Sequence, residues 1–181
     1  MKSEQLAWLI KRHGIEMTHI SHGSHIGSIL SVADIVAVLY NDVANVTPEN
    51  LNDENRDRIV LSKGHAGAAI YAALAEKGFF PVEELKTHYA DGSRLSGHVS
   101  HKGIPGVEIS TGSLGHGACM ACGIALNAKI EKMPYFTYTI VGDGECDEGS
   151  IWEMALFANH FKLNQFVVIV DHNKMQSLDY C

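Results

Sequence analysis

Val141-Gly142-Asp143-Gly144-Glu145-Cys146-Asp147-Glu148-Gly149, followed after a helical segment and an apolar run by Asp171-His172-Asn173-Lys174, decides how the rest of the 181 residues read. Residues Tyr135 to Val141 form a β-rich run that stops at a glycine, so Asp143 falls just beyond a strand end, where open parallel sheets keep their ligands. Gly142 and Gly144 lack the Cβ atoms that would hold backbone amides away from a phosphate, and a helix opening near Gly149 aims its positive end the same way. Phe166 to Val170 is a continuous apolar run typical of a buried parallel strand, and it delivers Asn173 to the same sheet edge. A carboxylate and an amide oxygen are hard donors. Magnesium takes about six oxygens and leaves most of them to phosphate and water, so the two pieces read as a magnesium diphosphate site.

The rest of the chain is compatible with such a site. Its hydrophobic content of 46% supports one domain with a real core. A net charge of −7 without a basic run lacks the footprint of a nucleic-acid binder and would be repelled by an anionic membrane. No apolar stretch near 18 residues is evident, and Met1 to Gly14 lacks a signal-peptide pattern, so the cytoplasm is the expected compartment. Four cysteines, Cys119, Cys122, Cys146 and Cys181, are too few and too irregular for a disulfide scaffold.

Leu6, Leu9, Ile10, His13, Met17 and Ile20 recur at helical spacing and predict an opening amphipathic helix. Ser31 and Asp34 form a capping pattern for a second helix through Leu39, after a small-residue loop at residues 21–27. Ile59-Val60-Leu61-Ser62 reads as a strand turning through Lys63-Gly64-His65 into an Ala-rich helix, Ala66 to Lys77. Asp91 to Gly117 is loop-rich, and so long a loop is usually functional. A small-residue helix, Ala118 to Ile130, leads to the Tyr135 strand. Strands alternating with helices predict an α/β fold, an open, mainly parallel sheet with helices on both faces, although only three strands are convincing.

Gly142-Asp143-Gly144 with Asn173 thirty residues on resembles the thiamine diphosphate fingerprint, and the surroundings resemble the transketolase family specifically. The resemblance spans residues 1–181 and implies the diphosphate-binding domain of the thiamine diphosphate-binding fold, without the family's pyrimidine-binding and C-terminal domains. It implies thiamine diphosphate and Mg2+ as cofactors, with Ca2+ or Mn2+ as alternatives. It also implies transfer of a two-carbon ketol unit from a ketose phosphate to an aldose phosphate, together with a pyrimidine-domain chain or a C-terminal part, in a homo- or hetero-oligomer. Carried over residue by residue, Asp143 and Asn173 hold the metal, with the backbone oxygen of Met175 completing its shell, and Gly142 and Gly144 flank the diphosphate. His25 and His98 face the sugar carbonyl and hydroxyls, while His65 lies near the diphosphate and assists proton transfer. Gly112 offers its backbone to the aminopyrimidine, Leu114 wedges against the bent cofactor, and Glu148 supports the cofactor environment across a subunit contact.

Other readings compete. A deoxyxylulose phosphate synthase is the nearest enzyme alternative, and a non-catalytic cofactor-binding or assembly module is the alternative from another class. A dinucleotide site needs a third glycine where Asp147 stands. Cys119-Met120-Ala121-Cys122 has no second pair to complete a zinc site and reads as buried packing. His13, His19, His88, His160 and His172 read as ordinary surface or core-rim histidines, and His19, His22 and His25 share a helical rhythm that Gly23 and Gly27 interrupt.

Overall fold

The computed structural model describes residues 1–177 and 179–181. Three strands, β1 (Arg58–Leu61), β2 (Thr137–Gly142) and β3 (Phe166–Asp171), form a parallel sheet in that order. β2 is central and entirely buried; its residues pair from Thr137 with Phe166 to Gly142 with Asp171 on one side, and from Thr137 with Arg58 to Ile140 with Leu61 on the other.

Alternation along the strands divides the core in two. Ile59, Leu61, Tyr138 and Ile140 face the helices α1 (Ser3–Ser21), α2 (Ile26–Val38) and α3 (Gly67–Glu76). Val141 turns to the opposite face, where it packs with Ala118, Cys122 and Ala125 of α4 (His116–Ile130) and with Ile151 and Met154 of α5 (Gly149–His160). Helices therefore cover both faces, as the alternating pattern required. Cys119 and Cys122 lie inside α4, half-buried and buried, and all four cysteines are free.

Several expectations need correction. Helix α2 begins at Ile26, with His25 at its N-cap in the left-handed region (φ 71°); Ser31 and Asp34 lie inside it, because Ser31 Oγ is used instead to donate to Asp171 at 2.7 Å. A short π-helix, Leu39–Val43, continues α2. The helical run Ile26–Val43 is 18 residues with mean hydropathy 1.5, long and apolar enough by length and composition to cross a membrane, contrary to the sequence reading. Its buried residues Ile29, Val32, Ala33, Val36 and Ala37 pack in the core, so its apolarity has a partner in the fold. Among the described residues β3 pairs with β2 alone, and Val168 and Val170 are exposed where the apolar run predicts burial. A further hairpin that sequence did not suggest pairs β4 (Met175–Gln176) antiparallel with β5 (Asp179–Tyr180).

Candidate active site

All three parallel strands end at one edge of the sheet, and the chain leaves each of them with a chemically distinctive residue. β1 runs into Ser62-Lys63-Gly64-His65, β2 into Asp143-Gly144, and β3 ends on Asp171 before His172-Asn173. The β2–β3 register, Gly142 opposite Asp171, makes Asp143 and Asn173 neighbours. Asp143 is half-buried; its Oδ1 accepts the Gly144 N–H at 3.0 Å and its Oδ2 the Lys174 N–H at 2.5 Å. Asn173 Oδ1 accepts the Met175 N–H at 2.9 Å. A carboxylate has about four lone-pair sites, so Asp143 keeps capacity for a cation beyond its two amides.

Among the described residues no three His, Cys, Asp or Glu side chains gather in a metal-binding group. The donor set at this edge is therefore a carboxylate, an amide oxygen and backbone carbonyls, which suits a hard cation that keeps phosphate and water oxygens in its shell.

His25, His65 and His98, from three separate segments, come together. The His25 ring lies 5.1 Å from that of His65 and 5.4 Å from that of His98, the latter edge-on. Close backbone packing brings them there. A Cβ on Gly64 would meet the Thr111 carbonyl oxygen at 2.3 Å, and one on Gly112 would meet His98 Cδ2 at 2.9 Å, so only glycines let the 111–112 segment slip between His65 and His98. Val99 N–H donates to Gly64 O at 2.9 Å and Thr111 N–H to Val99 O at 3.2 Å, which stitches the three segments.

Burial, then the charge of Lys63, then the neighbouring His25 and His98, push the His65 imidazole down to about 4, with Asp171 opposing. His25 is lowered by burial and by His98. Both rings are neutral at pH 7 and each can donate one hydrogen bond and accept another.

Leu114 is half-buried, and its carbonyl lies 3.0 Å from His116 Nδ1. Glu148 caps α5, exposed, beside the Gly115 backbone, and makes no side-chain capping bond. Met175 is 44% exposed, so its side chain has no packing role that conflicts with a backbone one. His19, His22 and His25 do not share a helix, since α1 ends at Ser21 with His22 left-handed at its C-cap. His13 is buried and pairs with Glu76 at 2.6 Å. His88 is also buried, and neither ring nitrogen has a partner among the described residues, so burial lowers its pKa.

Two site residues escaped the sequence reading. Glu145 is 2% exposed; its Oε1 accepts Ser62 Oγ–H at 2.5 Å and Gly115 N–H at 2.8 Å, and its Oε2 accepts Gly142 N–H at 3.1 Å. It thereby ties the ends of β1 and β2 to the loop entering α4, and Ser62 Oγ in turn accepts the Ala118 N–H at 2.9 Å. Asp171 is the second: it accepts Lys63 Nζ at 2.7 Å and Ser31 Oγ at 2.7 Å, all but out of solvent. Asp171 ends an apolar strand run and Glu145 follows Gly-Asp-Gly, so acidity at strand ends was the available signal; their partners lie far away in sequence.

Two cavities among the described residues lie away from this edge. One of about 320 Å³ is lined by α5 and β3 residues such as Met154, Leu163 and Phe166, and another of about 190 Å³ lies between α1 and residues 82–86. His25 and His98 stand on open surface instead.

The family model for the thiamine diphosphate binding domain of transketolase matches residues 3–179. The chain belongs to the transketolase family. It is 45% identical over 152 residues to the 6-deoxy-6-sulfo-D-fructose transketolase subunit of a Clostridium species, covering 84% of this chain and 55% of that protein. It is 42% identical over 162 residues to an apulose-4-phosphate transketolase subunit of Phocaeicola vulgatus, covering 90% of this chain and 57% of that one. Among solved structures, a transketolase from Campylobacter jejuni superposes with a TM-score of 0.89 at 31% identity, over 96% of this chain and 28% of its own. This transketolase-family chain thus spans a little over half the length of those curated relatives. The likeness to solved transketolases agrees with the open parallel sheet covered on both faces.

Proposed function

We propose that this transketolase-family chain holds thiamine diphosphate through a divalent cation at the β2 and β3 ends, with Mg2+ as the ion. Together with a chain or segment that carries a pyrimidine domain, it transfers a two-carbon ketol unit from a ketose phosphate to an aldose phosphate. The observation that carries this reading is the convergence of three strand ends and three imidazoles on one edge, beside the Asp143 and Asn173 oxygens. The relatives' subunit names and sugar-derived substrates support it.

When bound, thiamine diphosphate supplies the electron sink that lets a carbon–carbon bond next to a carbonyl break. The residues of this chain have separable tasks. Asp143, Asn173 and the Met175 carbonyl hold the cation, and the Gly142 and Gly144 backbone leaves room for the diphosphate. His65, kept neutral by burial and Lys63, accepts and returns a proton near the diphosphate end. His25 and His98 hydrogen-bond the sugar carbonyl and hydroxyls. Gly112, Leu114 and Glu148 line the approach, where the segment entering α4 meets the start of α5.

The test is calorimetric titration of the complete assembly with thiamine diphosphate, with and without Mg2+, followed by turnover of fructose 6-phosphate with an aldose phosphate acceptor. Asp143→Ala should weaken cofactor binding at least tenfold and abolish its metal dependence, because it removes the one charged donor. Unchanged, metal-dependent affinity in that variant would refute the assignment.

A further inference from the structure

We propose that Tyr71, from the middle of α3, is the positioning residue for His98. This rests on reading His98 as a substrate-facing group, and the experiment below separates the two. Helix α3 reads Gly-Ala-Ala-Ile-Tyr-Ala-Ala-Leu-Ala-Glu, so Tyr71 carries the one hydroxyl in an element that is small and apolar up to its final Glu76, and it is fully buried. A buried phenol needs partners for its oxygen. It finds them in the histidine loop: Tyr71 Oη donates to the His98 carbonyl at 3.0 Å and accepts the Ser100 N–H at 2.9 Å. The two bonds bracket Val99, which is itself tied to Gly64 and Thr111. Three residues of an irregular loop are thus fixed from one buried point.

The side chain of His98 gives the bracket its consequence. Among the described residues its ring nitrogens accept or donate no hydrogen bond; the ring stands edge-to-face with that of His25, beside the backbone of Gly112. Its place is therefore set by its backbone, and the backbone is set by Tyr71, with Ser96 Oγ as a second donor to the same carbonyl at 2.6 Å. Because Val99 also bonds Gly64, the residue before His65, the bracket fixes the spacing between the two imidazoles as well. A phenylalanine at position 71 would fill the same space and leave the ring packing against His88 in place. Only the two hydrogen bonds would go.

The experiment uses the complete assembly with thiamine diphosphate and Mg2+, with fructose 6-phosphate as donor and ribose 5-phosphate as acceptor, and compares wild type, Tyr71→Phe, His98→Ala and the double variant. A misplaced catalytic contact costs up to about 100-fold, so Tyr71→Phe should lower kcat and kcat/KM together by about 10- to 100-fold. Its cofactor affinity should stay within about twofold of wild type, since His98 lies outside the metal donors. In the His98→Ala background the same change should cost less than about twofold, because the group it positions is already gone. In the cofactor-free protein, the His98 ring signal in a proton–carbon NMR spectrum should shift or broaden in Tyr71→Phe. A Tyr71→Phe enzyme at wild-type rate beside a slow His98→Ala enzyme would overturn the positioning role alone, as would equal losses in both backgrounds. A His98→Ala enzyme at wild-type rate would sink the reading of His98 and this proposal with it. Should Tyr71→Phe fail to fold, Ser96→Ala, at the exposed side of the same carbonyl, should show a smaller loss that also vanishes in the His98→Ala background, and no loss there would overturn the proposal.

Discussion

Replacing Glu145 by glutamine exchanges one carboxylate oxygen for an NH2 group and leaves the size unchanged, so the effect isolates hydrogen bonding. The native carboxylate accepts from three donors, Ser62 Oγ, Gly115 N and Gly142 N. Whichever way the amide turns, its NH2 faces at least one N–H that it cannot accept. The better orientation keeps the oxygen on Ser62 and Gly115 and orphans Gly142 N–H. An unsatisfied buried donor costs about 1–3 kcal/mol, and turning two charge-assisted bonds into neutral ones loses about 1 kcal/mol each. Removing a buried charge returns part of that, which leaves a net loss of about 2–4 kcal/mol. At about 2–4 °C per kcal/mol for a domain of this size, Tm should fall by about 4–16 °C. Because Gly142 and the Gly115 loop are the parts released, thiamine diphosphate affinity should fall as well, by about tenfold or more. Differential scanning calorimetry and cofactor titration check the two arms. A Tm within about 2 °C of wild type with unchanged affinity would show that Glu145 ties nothing together.

Asp171→Ala leaves Lys63 buried without its partner, which should destabilise the fold by about 3–5 kcal/mol, measured by denaturant unfolding; a loss under about 1 kcal/mol would mean Lys63 finds another anion or water. His65 binds fewer protons in the folded than in the unfolded state between its folded value of about 4 and the ordinary 6.5. Its contribution to stability is therefore fully present above about pH 6.5 and is lost as pH falls through about 4. NMR titration should find the His65 ring still neutral at pH 5.5, and a midpoint near 6.5 would contradict the burial and Lys63 effects.

What sequence made legible was whatever repeats locally. The α/β alternation, the helical spacing of Leu6, Ile10 and Met17, and glycine at the ends of runs each depend on neighbours within a few positions, and the sheet and helices follow them. The three histidines stood out through the family resemblance of their positions, and the structure places the rings of His65 and His98 at 5.1 and 5.4 Å from that of His25. The misreadings came from contacts distant in sequence. Ser31 looked like a cap because capping is the commonest local use of serine, but its hydroxyl is taken by Asp171 from 140 positions away. Phe166 to Val170 reads as buried because apolar runs usually are; among the described residues it has β2 as its strand neighbour, and Val168 and Val170 are exposed. Tyr71, inside an Ala-rich run, carries no local signal of its partner either, since its hydroxyl donates to the His98 carbonyl 27 positions on.

The same distinction separates the carboxylates at the strand ends, which sequence alone leaves equivalent. Glu145 is buried and has three protein donors; Asp171 is buried and has an ammonium and a hydroxyl. Both are engaged in holding the fold, and a cation drawn to either would have to displace bonds that keep strand ends together. Asp143 differs on each count. It is half-buried, accepts only two backbone N–H groups, and stands beside Asn173, so it alone among the three combines remaining lone pairs with access and a neighbouring oxygen donor. The buried pair also serves it indirectly. Gly142 N–H is held by Glu145 and Asp143 N–H donates to Asp171 O at 3.3 Å, so the backbone on which Asp143 sits is pinned before any ligand arrives. Preorganisation of that kind would let the proposed cation site form without spending binding energy on ordering its loop.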